Sequence, residues 1–364
     1  MRKKPIDLRD REIIRLRDEN KRLNREIKTI HRSVLAEDEV RRILGVLGTK
    51  REKPPKWLVK PDSGPVTPEV PVTIWSDWHG GEMVSRAETN GINEFNLEVL
   101  RRRVHDLVER TIRLADRHKG NFPGVVVNLL GDLVSGGLHP ELAKTDEIES
   151  IGAALEVRDL LVWALEEMED RFGQVFCPCA SGNHGRNTVK PEFKRYVFKN
   201  FDWMIYQLLQ RYFTEQGNDN IHFAIRPANE VYYKVWNKGF LAMHGDMLGV
   251  KGGDGMIGSI GPIMRGEIKA HGAAWGEYDV LLMGHWHQPL WLPRVVVANS
   301  LKGYDEYAKN KLRAPATTPS QPLFFVHPRY GITSRWEVYL EGAEKSRHVD
   351  WVSIFDDSTR SLAA

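Results

Sequence analysis

Residues 281–289 read LLMGHWHQP: a short apolar run that breaks at a glycine and is followed by two histidines one residue apart. Four comparable places lie upstream. TIWS (73–76) runs into Asp77-Trp78-His79, VVVNLL (125–130) into Gly131-Asp132, VFCPCAS (175–181) into Gly182-Asn183-His184, and FLAM (240–243) into His244-Gly245-Asp246. Short apolar, β-branched runs of this kind, bounded by turn residues, are the pattern of buried strands, and VVVA (295–298) is another. Helical spacing fills 94–118, 148–171 and a shorter stretch near 192–213. Strands alternating with helices place the chain in the α/β class, with strands buried on both faces.

The residues just past each strand end carry the functional information. A single strand-end Asp or His is ordinarily a turn residue or a cap. Five exits in succession bearing Asp, Asn or His are not explained by turn chemistry, and five of the thirteen histidines sit in these motifs. Ligands of open α/β sheets bind beyond the carboxyl ends of the strands, so the five loops can converge on one cleft. Alternate residues of an extended segment point the same way, so Asp77 and His79, or His285 and His287, are expected to flank a common point. Oxygen and imidazole donors without a thiolate suit a reactive divalent ion, Mn²⁺ first, with Fe or Zn²⁺ as alternatives. The donors are too many for one ion. Two ions about 3.5–4 Å apart, sharing a carboxylate, would use them all.

The ordered set D-x-H, G-D, G-N-H, H and G-H-x-H resembles the calcineurin-like metallophosphoesterases, a superfamily that includes Mre11- and SbcD-like nucleases, purple acid phosphatases and cyclic-nucleotide phosphodiesterases. The resemblance covers roughly residues 70–300. It implies a β-sandwich flanked by helices (α/β/β/α) with a two-metal site at one edge. It also implies that Asp77, His79 and His287 hold the first metal, that Asp132 bridges both, and that Asn183, His244 and His285 hold the second. His184 takes the place of the catalytic histidine near the leaving oxygen, and the implied reaction is phosphoester hydrolysis by a hydroxide held between the ions. One departure stands out. The family follows G-N-H with an acidic residue that orients this histidine, whereas here the position is Gly185.

Around this body the chain divides into a basic helix (1–45), a Pro-rich linker (46–71) with six of the nineteen prolines, the phosphoesterase-like domain (72–345) and a tail (346–364). In the first segment Ile13, Leu16, Asn20, Leu23, Ile27, Ile30 and Val34 alternate spacings of three and four, a heptad seam with Asn20 at an a position. This predicts a parallel coiled-coil homodimer, the alternative being a helix packed on its own domain. Residues 1–35 carry twelve Lys/Arg against six Asp/Glu, a balance of +6, so the rest of the chain holds −3 of the net +3. No stretch approaches the roughly 20 apolar residues of a membrane span, the start lacks a signal-peptide core, and Cys177 and Cys179 read as buried thiols. A cytoplasmic enzyme without membrane contact is expected.

The metal motifs specify the bond but not the substrate. The basic arm, the expected dimer and the basic segment 186–199 narrowly favour DNA as the phosphodiester substrate. Small molecules or phosphoproteins are the close alternative, and a non-catalytic scaffold recruited through the coiled coil is the third. Arg186 and Lys190 are candidates to grip a substrate phosphate, or else belong to a solvated loop. His139, just past Asp132, is a candidate substrate contact. The glycine-rich stretch after His244 reads as a substrate lid or a plain insertion.

Overall fold

A computed structural model of the chain describes residues 69–118, 122–136, 141–188, 190, 192, 194–248 and 278–341. The coiled-coil helix, His139, the glycine-rich stretch beyond Leu248 and the tail lie outside the described residues.

Eleven strands are described: β1 (Val70–Trp75), β2 (Val125–Leu129), β3 (Val175–Cys179), β4 (Ile221–Ile225), β5 (Val231–Val235), β6 (Lys238–Ala242), β7 (Val280–Met283), β8 (Leu290–Trp291), β9 (Val295–Val297), β10 (Ser320–His327) and β11 (Gly331–Tyr339). Four α-helices accompany them: α1 (Leu97–His118), the single turn α2 (Leu142–Thr145), α3 (Ser150–Phe172) and α4 (Phe201–Glu215). The strands form a six-stranded sheet in the order β11-β10-β1-β2-β3-β4 and a five-stranded sheet in the order β5-β6-β7-β9-β8. In the first sheet β1, β2, β3 and β4 run parallel, and in the second β6 and β7 do.

Period-two alternation explains why the strands read as continuous apolar runs. On β2, Val125, Val127 and Leu129 point into a core shared with α1, α3 and α4, whereas Val126 joins Ile74, Phe240, Leu282 and Phe324 in a second core between the sheets. The outer face of the five-stranded sheet carries a third cluster, including Leu241, Met243, Leu281, Met283 and Val297, with no residue of α1, α3 or α4 in it. Helix, sheet and sheet are thus stacked as three layers among the described residues. The outer helical layer implied by the resemblance is not among them.

Helix ends follow their chemistry. The Asn96 side chain accepts a hydrogen bond from the Val99 amide at the start of α1, Asn200 caps α4 by accepting from Asp202, and Gly173 closes α3 at φ 74°. Proline content alone assigns residues 70 and 71 to the linker. They instead open β1, where Val70 and Pro71 pair with Val326 and Phe325 of β10, and pairing with β2 begins only at Val72. Pro71 is tolerated because the missing N–H falls at the start of the strand.

Candidate metal centre

Two groups of ligand side chains stand together at one edge of the sandwich: Asp77, His79 and His287, and beside them Asp132, His244 and His285. The topology makes this inevitable. Asp77 and His79 leave β1, Asp132 leaves β2 and Asn183 with His184 leaves β3, three adjacent parallel strands; His244 leaves β6, and His285 and His287 leave β7, an adjacent parallel pair in the other sheet. The carboxyl ends of both sheets therefore open at a common edge. Backbone bonds lock the exits in step: Asp77 N donates to Gly131 O at 3.0 Å, His79 N to Asp132 O at 3.0 Å and Gly80 N to Leu133 O at 2.9 Å. The groups touch, since the His285 amide donates to the Asp77 carboxylate at 3.0–3.1 Å.

The exits are not extended. Asp77, His79, Asp132, His285 and His287 all adopt left-handed backbone, with φ between 51° and 71°. A left-handed non-glycine residue costs of order 1–3 kcal/mol and persists where its surroundings impose it. Alternation along an extended segment is therefore not what aims these side chains: each turns individually, and His285 and His287 end in different groups.

The spacing of the donor atoms fits a cation. His79 Nε2 lies 3.1 Å from His287 Nε2, His287 Nε2 lies 3.3 Å from Asp77 Oδ1, and His244 Nε2 lies 3.1 Å from Asp132 Oδ2. Ligand bonds of about 2.0–2.2 Å put neighbouring donors in one coordination shell roughly 3.0–3.5 Å apart. The buried Asn183 Oδ1 and His244 Nε2 make no hydrogen bond among the described residues, as expected of atoms whose partner is an ion. In each group two side chains are buried and one histidine is half-buried.

Electrostatics agree. Burial, helped by the Lys302 and His184 charges, lowers the His79 pKa to about 4, and burial with the His244 charge lowers that of His285 to about 3. Both are neutral imidazoles with a lone pair at physiological pH. Burial opposes ionisation of Asp77, but His287 and His244 outweigh it and hold the carboxyl at about 2. His244 is the reverse case: burial disfavours its charge, yet Asp132, Asp77 and Asp246 raise its pKa well above the ordinary value, and the same negative field attracts a divalent ion.

The remaining site residues divide. His184 stands over the first group, its ring 4.6 Å from that of His79; its amide donates to Asp132 Oδ1 at 2.6 Å and its Nδ1 lies 3.1 Å from the Ser135 carbonyl. That carbonyl supplies the orientation that an acidic neighbour would give. Position 185 has no room for one, because a Cβ there would lie 2.4 Å from Asn200 Oδ1 and 3.0 Å from Asp202 Cγ. Arg186 Nε donates to Thr188 O at 3.1 Å and its Nη1 to Asn183 O at 3.4 Å, two contacts within its own loop. Lys190 is exposed.

Several contributors had no sequence signal. Asp202, in the first turn of α4, accepts from the amides of Asp132, Gly182 and Leu133 at 2.8–3.1 Å and so ties the β2 exit to the β3 exit. The Tyr206 hydroxyl reaches Leu129 O, Ala180 O and Gly131 N at the same junction. Tyr196 donates to Asp246 at 2.9 Å, joining the segment after His184 to the loop after His244.

Neither the family models nor the curated proteins yield a match to this sequence. Among solved structures, one similar chain is described as a 5′-nucleotidase from Staphylococcus aureus, at 10% identity and a TM-score of 0.29 over 81% of this chain. The match spans 57% of that protein's length. Among the described residues no helix is long and apolar enough to cross a membrane.

Proposed function

We propose that this protein is a dinuclear metal-dependent phosphoester hydrolase, with Asp77, His79 and His287 holding one divalent ion and Asn183, His244 and His285 the other, Asp132 lying between them. The observation that carries this is the contiguity of two groups, each a carboxylate with two imidazoles at coordination spacing. Two ions so held supply Lewis acidity toward a phosphoryl oxygen and a nucleophile at neutral pH.

The chain's own residues account for the rest. The Ser135 carbonyl accepts from the His184 Nδ1–H, which sets the ring so that Nε2 is the atom able to pass a proton to a departing alkoxide. The hydrogen bond from the His184 backbone amide to Asp132 Oδ1 keeps that ring in register with the metal groups. Asp202 fixes the relative position of the Asp132 and Asn183 loops without occupying either group. As for substrate, we favour the phosphodiester of DNA, supported by the +6 balance of residues 1–35.

With added Mn²⁺ the protein should hydrolyse bis-p-nitrophenyl phosphate in preference to the monoester, and His184→Ala should lose roughly 10²–10⁴ of that rate. Failure on both esters by protein that holds metal would sink the hydrolase reading. Turnover of the monoester alone would sink DNA in favour of a phosphatase for small molecules or phosphoproteins.

A further inference from the structure

Behind His79 lies a buried charged network on which the proposed reaction makes no direct demand. Lys302 is 2% exposed, and its Nζ donates to Glu82 Oε1 at 2.8 Å and to Asp305 Oδ2 at 2.5 Å. Glu82, 4% exposed, turns its other oxygen toward His79, with Oε2 3.3 Å from Nδ1. Neither of these two facing atoms makes a hydrogen bond among the described residues, so each has only the other within ion-pair distance. His79 presents its opposite nitrogen, Nε2, to His287.

A lysine with two carboxylates in a dry interior is costly unless every charge is compensated. Here the count leaves one carboxylate in excess. The Lys302 ammonium stands between the two carboxylates, and Glu82 is the one that faces His79. The surplus negative charge thus sits at the back of the His79 ring. The network is rigidly seated: Asp305 Oδ1 accepts from the Ala308 amide at 2.7 Å, and the Lys302 carbonyl accepts from Arg103 of α1 at 2.5 Å and from Asn93 at 2.9 Å. It also adjoins the other ligand of the group, because Leu301 N and Ser300 Oγ both donate to the Asp77 carbonyl.

We propose that Glu82 is the positioning residue of the first metal group. By accepting from Nδ1–H of His79 it fixes the tautomer and the ring plane so that Nε2 is the donor aimed at the ion, and Lys302, itself held by Asp305, keeps the carboxylate in place. Carboxylates behind metal-bound histidines act in this way, and losing one typically weakens binding by about 10–100-fold. The inference rests on the two-metal reading above.

Mn²⁺ binding to the full chain, measured by titration calorimetry with electron paramagnetic resonance counting of bound ion, tests it without recourse to activity. Wild type should take up two ions. Glu82→Gln should weaken one of them by about 10–100-fold and leave the other at wild-type affinity. If Glu82→Gln fails to fold because Lys302 loses its partner, the double variant Glu82→Gln with Lys302→Met removes both charges at similar volume and should show the same selective loss. Two sites at wild-type affinity, or two sites weakened alike, would overturn the positioning role. Absence of Mn²⁺ uptake by wild type would instead overturn the two-metal reading itself.

Discussion

Gly185 illustrates how a single residue can mislead and then inform. Set against the family pattern, it looks like a lost acidic partner that leaves His184 to be oriented from elsewhere. The orientation comes from the Ser135 carbonyl, and the space next to Gly185 belongs to Asn200 and Asp202. Restoring a side chain should therefore harm rather than help. Gly185→Ala puts its Cβ against the Asn200 cap of α4, and overpacking of this kind costs about 1–3 kcal/mol. A lower urea midpoint with an unchanged slope is the expected result, and a neutral or stabilising substitution would show that the cap can yield. The candidate ligands make the same point in their backbones. D-x-H and H-x-H are legible as donor chemistry, but the left-handed φ at Asp77, His79, His285 and His287 is not. No local rule places a non-glycine residue there; the bonds from neighbouring exits do.

Among the elements, α4 contributes more to the site than its sequence suggests. FDWMIYQLLQRYFTE reads as an ordinary amphipathic helix. In the structure its first turn delivers Asp202 to three amides of two different loops, and its second delivers the Tyr206 hydroxyl to the ends of β2 and β3. Asp202→Asn replaces one acceptor oxygen by a donor facing an amide, and leaving a buried amide unpaired costs about 1–3 kcal/mol. The variant should lose that much in chemical denaturation and, because the Asp132 and Asn183 loops lose their common anchor, should bind divalent metal more weakly. Full metal affinity in a destabilised Asp202→Asn would confine α4 to a structural role. β11 is one strand absent from the sequence reading. It lies at the edge of its sheet, only Gly331 and Val338 in it are buried, and its polar GITSRWEVY never forms an apolar run. Burial on both faces makes a strand conspicuous, and an edge strand has neither face fully buried.

At the scale of the whole molecule, two sheets share one core and open their carboxyl ends on one edge, so five loops spread over more than two hundred residues of chain meet at the candidate metal centre. For the arm 1–45 we propose a role in assembly, on the strength of its heptad seam. If its heptad seam pairs two copies, deleting 1–45 should convert a dimer to a monomer in sedimentation while leaving small-ester hydrolysis unchanged. A monomeric full-length chain at micromolar concentration would end the dimer proposal, and a truncated chain that cleaves DNA as well as the full one would remove the arm from substrate binding. The sequence by itself determined the strand exits and the α/β class and named the Asp and His side chains that the structure groups there, because burial on both faces and metal chemistry each demand particular residue types at local spacing. Only the tertiary structure decided that a carbonyl stands in for an acid beside His184 and that Glu82 and Lys302 stand behind His79. Those contacts join residues as many as 220 positions apart, and no periodicity along a chain encodes a separation set by the packing of two sheets.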